Sequence, residues 1–261
     1  MDILFFVISF LASIIGCICG IGGGIIIKPV LDLTGVASIA SISFLSSCTV
    51  LSMSCYNVLS GFSDKTGAID TKTGTPLAIG AAVGGILGNM AFSALRTGLG
   101  SDATAGTAQA LCLLLLTLGT LIYTVKKAGI KTKQIESLPA SALIGFALGA
   151  LSSFLGIGGG PFNLVVLHYF FSMETKKAVS NSLYIILFSQ VTNLLVSVIG
   201  GTVPEFSVTA LVLMIAGGIG GGIVGRRLSR GFGEKTVDKL FIALLAVIIC
   251  ICVYNAAKYY I

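Results

Sequence analysis

Long apolar runs alternate with short polar breaks along the whole chain. The runs fall at Ile3–Cys19, Ser38–Gly61, Pro76–Leu95, Ala103–Val125, Pro139–Leu155, Ala178–Ile199, Phe206–Val224 and Val237–Asn255. Each is long enough, or nearly so, to cross the roughly 30 Å hydrocarbon core of a bilayer as a helix. Two shorter apolar arms, Ile25–Leu33 and Pro161–Phe171, each follow a Gly-Ile-Gly-Gly-Gly string, at Gly20–Gly24 and Gly156–Gly160. The pattern predicts an all-α polytopic membrane protein of about eight to ten membrane segments. The longest polar stretch, Lys126 to Pro139, reads as a loop.

The second half of the chain repeats the first. A shift of 136 residues lays Gly156–Gly160 on Gly20–Gly24 and Val166-Leu167 on Val30-Leu31. A shift of 137 lays Gly221-Gly222-Ile223 and Gly225 on Gly84-Gly85-Ile86 and Gly88. This places a first transmembrane repeat at 1–133 and a second at 134–261, forming one integrated domain. Each repeat is a glycine-broken helical hairpin plus three spanning helices. Either five crossings or three make an odd number, so the second repeat is expected to be inverted. Internal duplication of this kind marks secondary transporters.

Charge refines the topology. With the Lys126–Lys133 loop inside, the inner loops collect Lys65, Lys72, Lys176, Lys177, Arg226, Arg227 and most other basic residues. Lys28 lies within the membrane, while Arg96 and Lys258 fall outside. By the positive-inside rule this predicts a multi-pass protein of the cytoplasmic membrane with both termini outside. Met1-Asp2 leads directly into an apolar run, which predicts a retained first segment rather than a cleaved leader.

Composition narrows the function. The 261 residues are 55% hydrophobic and 10% charged, against about 25% charged in soluble domains. That excludes a soluble enzyme or a nucleic-acid binder, and the +6 net charge resides in the short loops. The seven cysteines all lie in apolar stretches without a Cys-x-x-Cys, so neither a zinc site nor a disulfide framework is expected. No metal, cofactor or catalytic constellation is indicated.

Three glycines in mid-hairpin are expected to break the helix where backbone lines a polar cavity. The arm that follows then starts a new helix, with unpaired N–H groups and about half a positive charge at its start. Pro161 suits the opening position of the second arm. Inversion would aim both helix starts at one point near the midplane and create a site for a small anion. The candidate binding residues are Gly22, Gly23, Gly24 and Lys28 from the first repeat, and Gly158, Gly159, Gly160, Asn163, Asn181 and Ser182 from the second. Lys28 either serves the anion or pairs locally with Asp32. Asp32 and His168 occupy matching positions in the two arms and are candidates for proton coupling. Asn57, Gln109, Gln190 and Asn193 read as interhelical hydrogen-bonding links. Gly80, Gly84 and Gly88 share one helix face, as do Gly217, Gly221 and Gly225; packing within one subunit is expected there, with homodimerisation as the weaker alternative.

The same residues resemble the TauE/SafE sulfite exporter family. The resemblance rests on the duplicated Gly-Ile-Gly-Gly-Gly string, the basic central loop and Gly221–Gly225 before Arg226. Ala178-Val179-Ser180-Asn181-Ser182-Leu183 is similar to that family's Ala-Val-Gly-Thr-Ser-Leu, departing from it at Ser180 and Asn181. The resemblance implies a carrier of sulfur-containing anions of the sulfite, thiosulfate, sulfonate or sulfoacetate class. The competing readings are a membrane thiol or redox carrier using Cys17, Cys19, Cys48 and Cys55, and a scaffold without a substrate. The expected partners are a small anion and the lipid bilayer, with no nucleic acid.

Overall fold

The structure is a computed structural model and describes residues 2–63, 69–99, 102–157 and 159–258. Among these residues there are ten α-helices and no strands. The first half contributes α1 (Asp2–Cys19), α2 (Gly24–Thr34), α3 (Ile39–Ser63), α4 (Thr71–Leu99) and α5 (Asp102–Lys126). The second contributes α6 (Leu138–Phe154), α7 (Phe162–Phe171), α8 (Thr175–Ile199), α9 (Val208–Gly231) and α10 (Glu234–Lys258). Adding 136 to the bounds of α3 gives those of α8, and α1 falls on α6 within a residue. Six helices are long and apolar enough to cross a membrane: α3, α4, α5, α8, α9 and α10.

Helix ends lie where local chemistry permits. Pro139 stands in the first turn of α6, where its missing N–H costs nothing. Ser207 accepts a hydrogen bond from the Ala210 N–H at 3.3 Å and caps α9. Several helices extend past the apolar runs. Helix α4 starts five residues before Pro76 and α9 runs on through Arg226, Arg227 and Arg230. Their polar ends need no lipid. Pro161 sits one residue ahead of the position expected for it, as the N-cap of α7.

The two halves interlock. Helix α4 of the first packs along α6 of the second, and α1 packs along α9. Exchanging the halves turns the first of these pairs into the second. It likewise turns α3–α9 into α8–α4 and maps α3–α8 and α5–α10 onto themselves. Both long seams are lined by small residues. A Cβ at Gly84 would run into the Phe146 carbonyl and one at Gly149 into that of Ala81, while a Cβ at Gly221 would meet Phe10 of α1. Glycine thus lets backbones touch across the halves, where dispersion contacts replace the hydrophobic effect that lipid cannot supply. The principal buried cluster surrounds the two hairpin breaks and includes Ile21, Ile25, Ile157, Phe162 and Leu167.

Candidate functional site

The two glycine strings break their helices and meet. Gly20 and Gly156, which coincide on the 136-residue shift, both take left-handed backbone, with φ of 65° and 63°. The breaks approach so closely that a Cβ on Gly24 would strike the Ile157 carbonyl oxygen, and one on Gly159 would lie 3.1 Å from that of Ile21. Gly22 and Gly23 belong to the same first turn, which is buried against α1 and α3. Gly160 lies against the Phe162 ring. Gly158 falls outside the described residues.

Helices α2 and α7 begin directly after these breaks, with Gly23 and Pro161 as N-caps and no side-chain cap on either. The opposite is true of the C-terminus of α6. The Leu151, Ser152 and Ser153 carbonyls accept from the N–H groups of Leu155, Ile157 and Gly156, and the Phe154 carbonyl accepts from Gln109 Nε2 at 2.6 Å. The negative end of α6 is therefore quenched, while the positive end of α7 has no side-chain cap and, among the described residues, only its Asn163 N–H is answered, by the Gly160 carbonyl at 3.1 Å.

Beside that start lies a narrow cavity of about 10 Å³, room for one water molecule as it stands, between α4, α6, α7 and α8. Ala81, Leu148, Ile185 and Ile186 supply apolar wall; Ser152, Asn163 and Ser189 supply the polar groups. These three residues are 4%, 2% and 3% exposed. Ser152 Oγ, Asn163 Oδ1 and Ser189 Oγ are buried and have no hydrogen-bond partner among the described residues. Such groups cost free energy unless a ligand or water answers them. Ser152 and Ser189 were not legible in the sequence as site residues, because a serine in an apolar helix normally bonds its own backbone.

Asn163 and Ser182 are brought together. Asn163 Nδ2 donates to Ser182 Oγ at 3.3 Å, and Ser182 Oγ donates to the Gly20 carbonyl at 2.5 Å. This chain joins α7 and α8 to the glycine break of the first repeat. Asn181, one residue earlier, points elsewhere. Its Oδ1 accepts from the Asp70 N–H at 3.0 Å and its Nδ2 donates to the Lys177 carbonyl. It holds the entry to α4, where Asp70 also pairs with Lys177 at 3.4 Å.

Lys28 reaches across the molecule rather than only along its own helix. Its Nζ donates to Gln109 Oε1 of α5 at 3.4 Å and lies 2.9 Å from where a Cβ on Gly156 would stand. Gln109, read from sequence as a simple interhelical link, thus ties the lysine to the end of α6. Asp32 Oδ1 has no hydrogen-bond partner among the described residues. His168 stands five residues beyond Asn163 and bonds Tyr123 Oη through Nδ1 at 2.9 Å. It borders a separate cavity of about 20 Å³. On the rim of that cavity Lys127 meets Asp238 at 2.6 Å, and Thr175 Oγ1 donates to the same carboxylate. Asp32 and His168 therefore match in sequence position but differ in setting.

A further correspondence supports the duplication. Ser153 Oγ donates to Asn193 Oδ1 at 3.0 Å, and Cys17 Sγ donates to Asn57 Oδ1 at 3.1 Å. These pairs coincide on the same shift, and each lies beside a glycine of the other half: Gly85 for the first and Gly222 for the second.

Comparison with known proteins agrees with this architecture. The sulfite exporter TauE/SafE family matches residues 5–251. The chain belongs to that family. It is 28% identical to the probable membrane transporter protein YunE of Bacillus subtilis over 97% of each chain. It is also 30% identical to the probable membrane transporter protein MamO of Magnetospirillum gryphiswaldense, over 43% of this chain but 19% of that one. No solved structure matches. As a TauE/SafE member with several spanning helices, the chain is a multi-pass membrane transporter.

Proposed function

We propose that this transporter carries small sulfur-containing anions of the sulfite, thiosulfate, sulfonate or sulfoacetate class. The anion is held where the two glycine-led helix starts converge, near the middle of the membrane. The observation that carries this reading is the cavity at the start of α7, where Ser152 Oγ, Asn163 Oδ1 and Ser189 Oγ are buried without partners among the described residues. An uncapped helix start attracts negative charge, and Lys28 adds a cation near the second break. The sulfur preference rests on family membership alone.

Access alternates as one half rocks against the other along the two glycine seams. The exchange of packing pairs between halves supports inverted repeats at 1–133 and 134–261. The distribution of lysine and arginine supports placement in the cytoplasmic membrane with both termini outside. Coupling to protons would fall to His168, which shares α7 with Asn163, or to Asp32 on the first arm. The seams are occupied within one subunit, so a homodimer would need another surface.

The deciding experiment is counterflow in proteoliposomes, with sulfur anions compared against carboxylates and chloride. Selective exchange of a sulfur anion is expected. Exchange of carboxylates alone would keep the anion site and discard the sulfur assignment. No exchange by folded protein would remove the reading.

A further inference from the structure

We infer that the lining at the start of α7, once the halves part to admit substrate, selects an anion that brings its own hydrogen-bond donor, such as a protonated oxyanion or a hydroxylated sulfonate, over one that offers acceptors alone. This rests on the anion-carrier reading above.

The argument begins at Gly20. Its carbonyl can only accept, so the single proton of Ser182 is committed to it at 2.5 Å. Ser182 Oγ can then only accept toward Asn163. The Asn163 amide must therefore turn its NH₂ to Ser182, at 3.3 Å, which leaves Oδ1 as the atom without a partner. An asparagine that could otherwise present either face is fixed as an acceptor by a residue of the other repeat. Ser152 and Ser189 hydroxyls each donate or accept as required.

Two demands then meet in one small space. The start of α7, which no side chain caps, beside the bonded carbonyls at the end of α6, favours a negative occupant over a cation. Asn163 Oδ1 demands a donor. An anion with acceptors only would satisfy the serines but set its oxygens against the amide oxygen, leaving that oxygen unanswered and buried. An anion with an O–H satisfies both. A site built to bond a hydroxyl discriminates against the analogue that lacks it.

The test uses two probes of nearly equal size and equal charge at every working pH: ethanesulfonate and 2-hydroxyethanesulfonate. Half-saturation for counterflow is measured for each with the full-length protein in proteoliposomes. The hydroxylated anion is expected to saturate about tenfold lower, the equivalent of one hydrogen bond. Asn163→Leu should bring the two probes to parity. Ser182→Ala, which frees the amide to reverse, should shrink the preference without requiring a change of charge. Equal half-saturation in the unmodified protein, with both probes exchanged, overturns the inference and leaves the anion reading standing; a water would then answer Asn163. A preference that persists in Asn163→Leu also overturns it. Failure of folded protein to exchange either probe removes the anion reading and this inference together.

Discussion

The same position of the fold is hollow and polar in one half and filled in the other. Ser152, Asn163 and Ser189 border the cavity of the second repeat. Their counterparts on the 136-residue shift are Gly16, Ile27 and Met53. Ile27 and Met53 are fully buried, and Met53 packs with Cys17, Val50, Leu183 and Ile186. A Cβ at Gly16 would strike the backbone of Gly22 and Gly23, so that corner is occupied by the main chain itself. The two halves share the backbone breaks and the flanking pairs Cys17–Asn57 and Ser153–Asn193. They do not share the cavity. The two halves match in backbone, and the anion site proposed above would be one-sided, with the first half packed and lending Gly20 and Lys28 from its edge.

The strongest way to break this contrast is to separate the two breaks. Gly24→Leu drives a side chain into the Ile157 carbonyl, and Gly159→Leu pushes against Ile186 and Ile21. Overpacking costs about 1–3 kcal/mol in a tight core, and both variants are expected to insert in the membrane yet lose counterflow. Unchanged uptake in both would remove the convergence of the breaks from the mechanism.

Next in size is an exchange of linings. Asn163→Ile with Ser189→Met gives the second half the side chains of the first. Exchange should vanish while the melting temperature rises, because unpartnered polar groups give way to apolar ones. The reverse pair, Ile27→Asn with Met53→Ser, should lower stability by roughly 2–5 kcal/mol through lost packing and new orphaned groups. The protein that remains folded should still exchange. Thermal melts in detergent beside counterflow check both directions.

A smaller effect sharpens the likeness of the flanking pairs. Cys17→Ser converts Cys17–Asn57 into a copy of Ser153–Asn193. Stability should move by about 1 kcal/mol or less, within the range of an interhelical hydrogen bond, and exchange should persist. Loss of exchange would revive the thiol-carrier reading.

The smallest concerns the entry to α4. Burial alone would raise the Asp70 carboxyl, but the Thr73 N–H and the Lys177 ammonium outweigh it and hold its pKa below the ordinary value. With a depressed folded-state pKa, the contribution is present above the unfolded carboxylate's pKa. It is lost as pH falls through the lower folded value. Lys177 is 46% exposed, so Asp70→Asn should cost under about 1 kcal/mol and flatten acid destabilisation below the ordinary carboxylate range. A melt series against pH reads this out.

The sequence carried the duplication and the broken hairpins because glycine strings and apolar runs are one-dimensional signals. It placed Asn163 and Ser182 near the breaks for the same reason. It grouped Asn181 with them because neighbours in sequence were taken as neighbours in space. Successive helical residues lie about 100° apart, and Asn181 turns to Asp70 while Ser182 turns to Gly20. Gln109 was legible as an interhelical link, but its partners, and the roles of Ser189 and Ser152, were out of reach for another reason. Their roles depend on which helices pack together, and nothing in the residues of α5, α6 or α8 names the partner.

The hydrogen bond from Ser182 to Gly20 spans the joint between the halves. A rocking movement that parts α8 from the first break would release the serine's proton. Ser182 could then donate to Asn163, and the amide would be free to rotate and offer its NH₂ to the chamber. The motion that opens a path would thereby rewrite the chamber's grammar, from asking for a hydrogen to giving one. A carrier wired in this way grips and releases through the orientation of a single amide, with no change of net charge in the lipid.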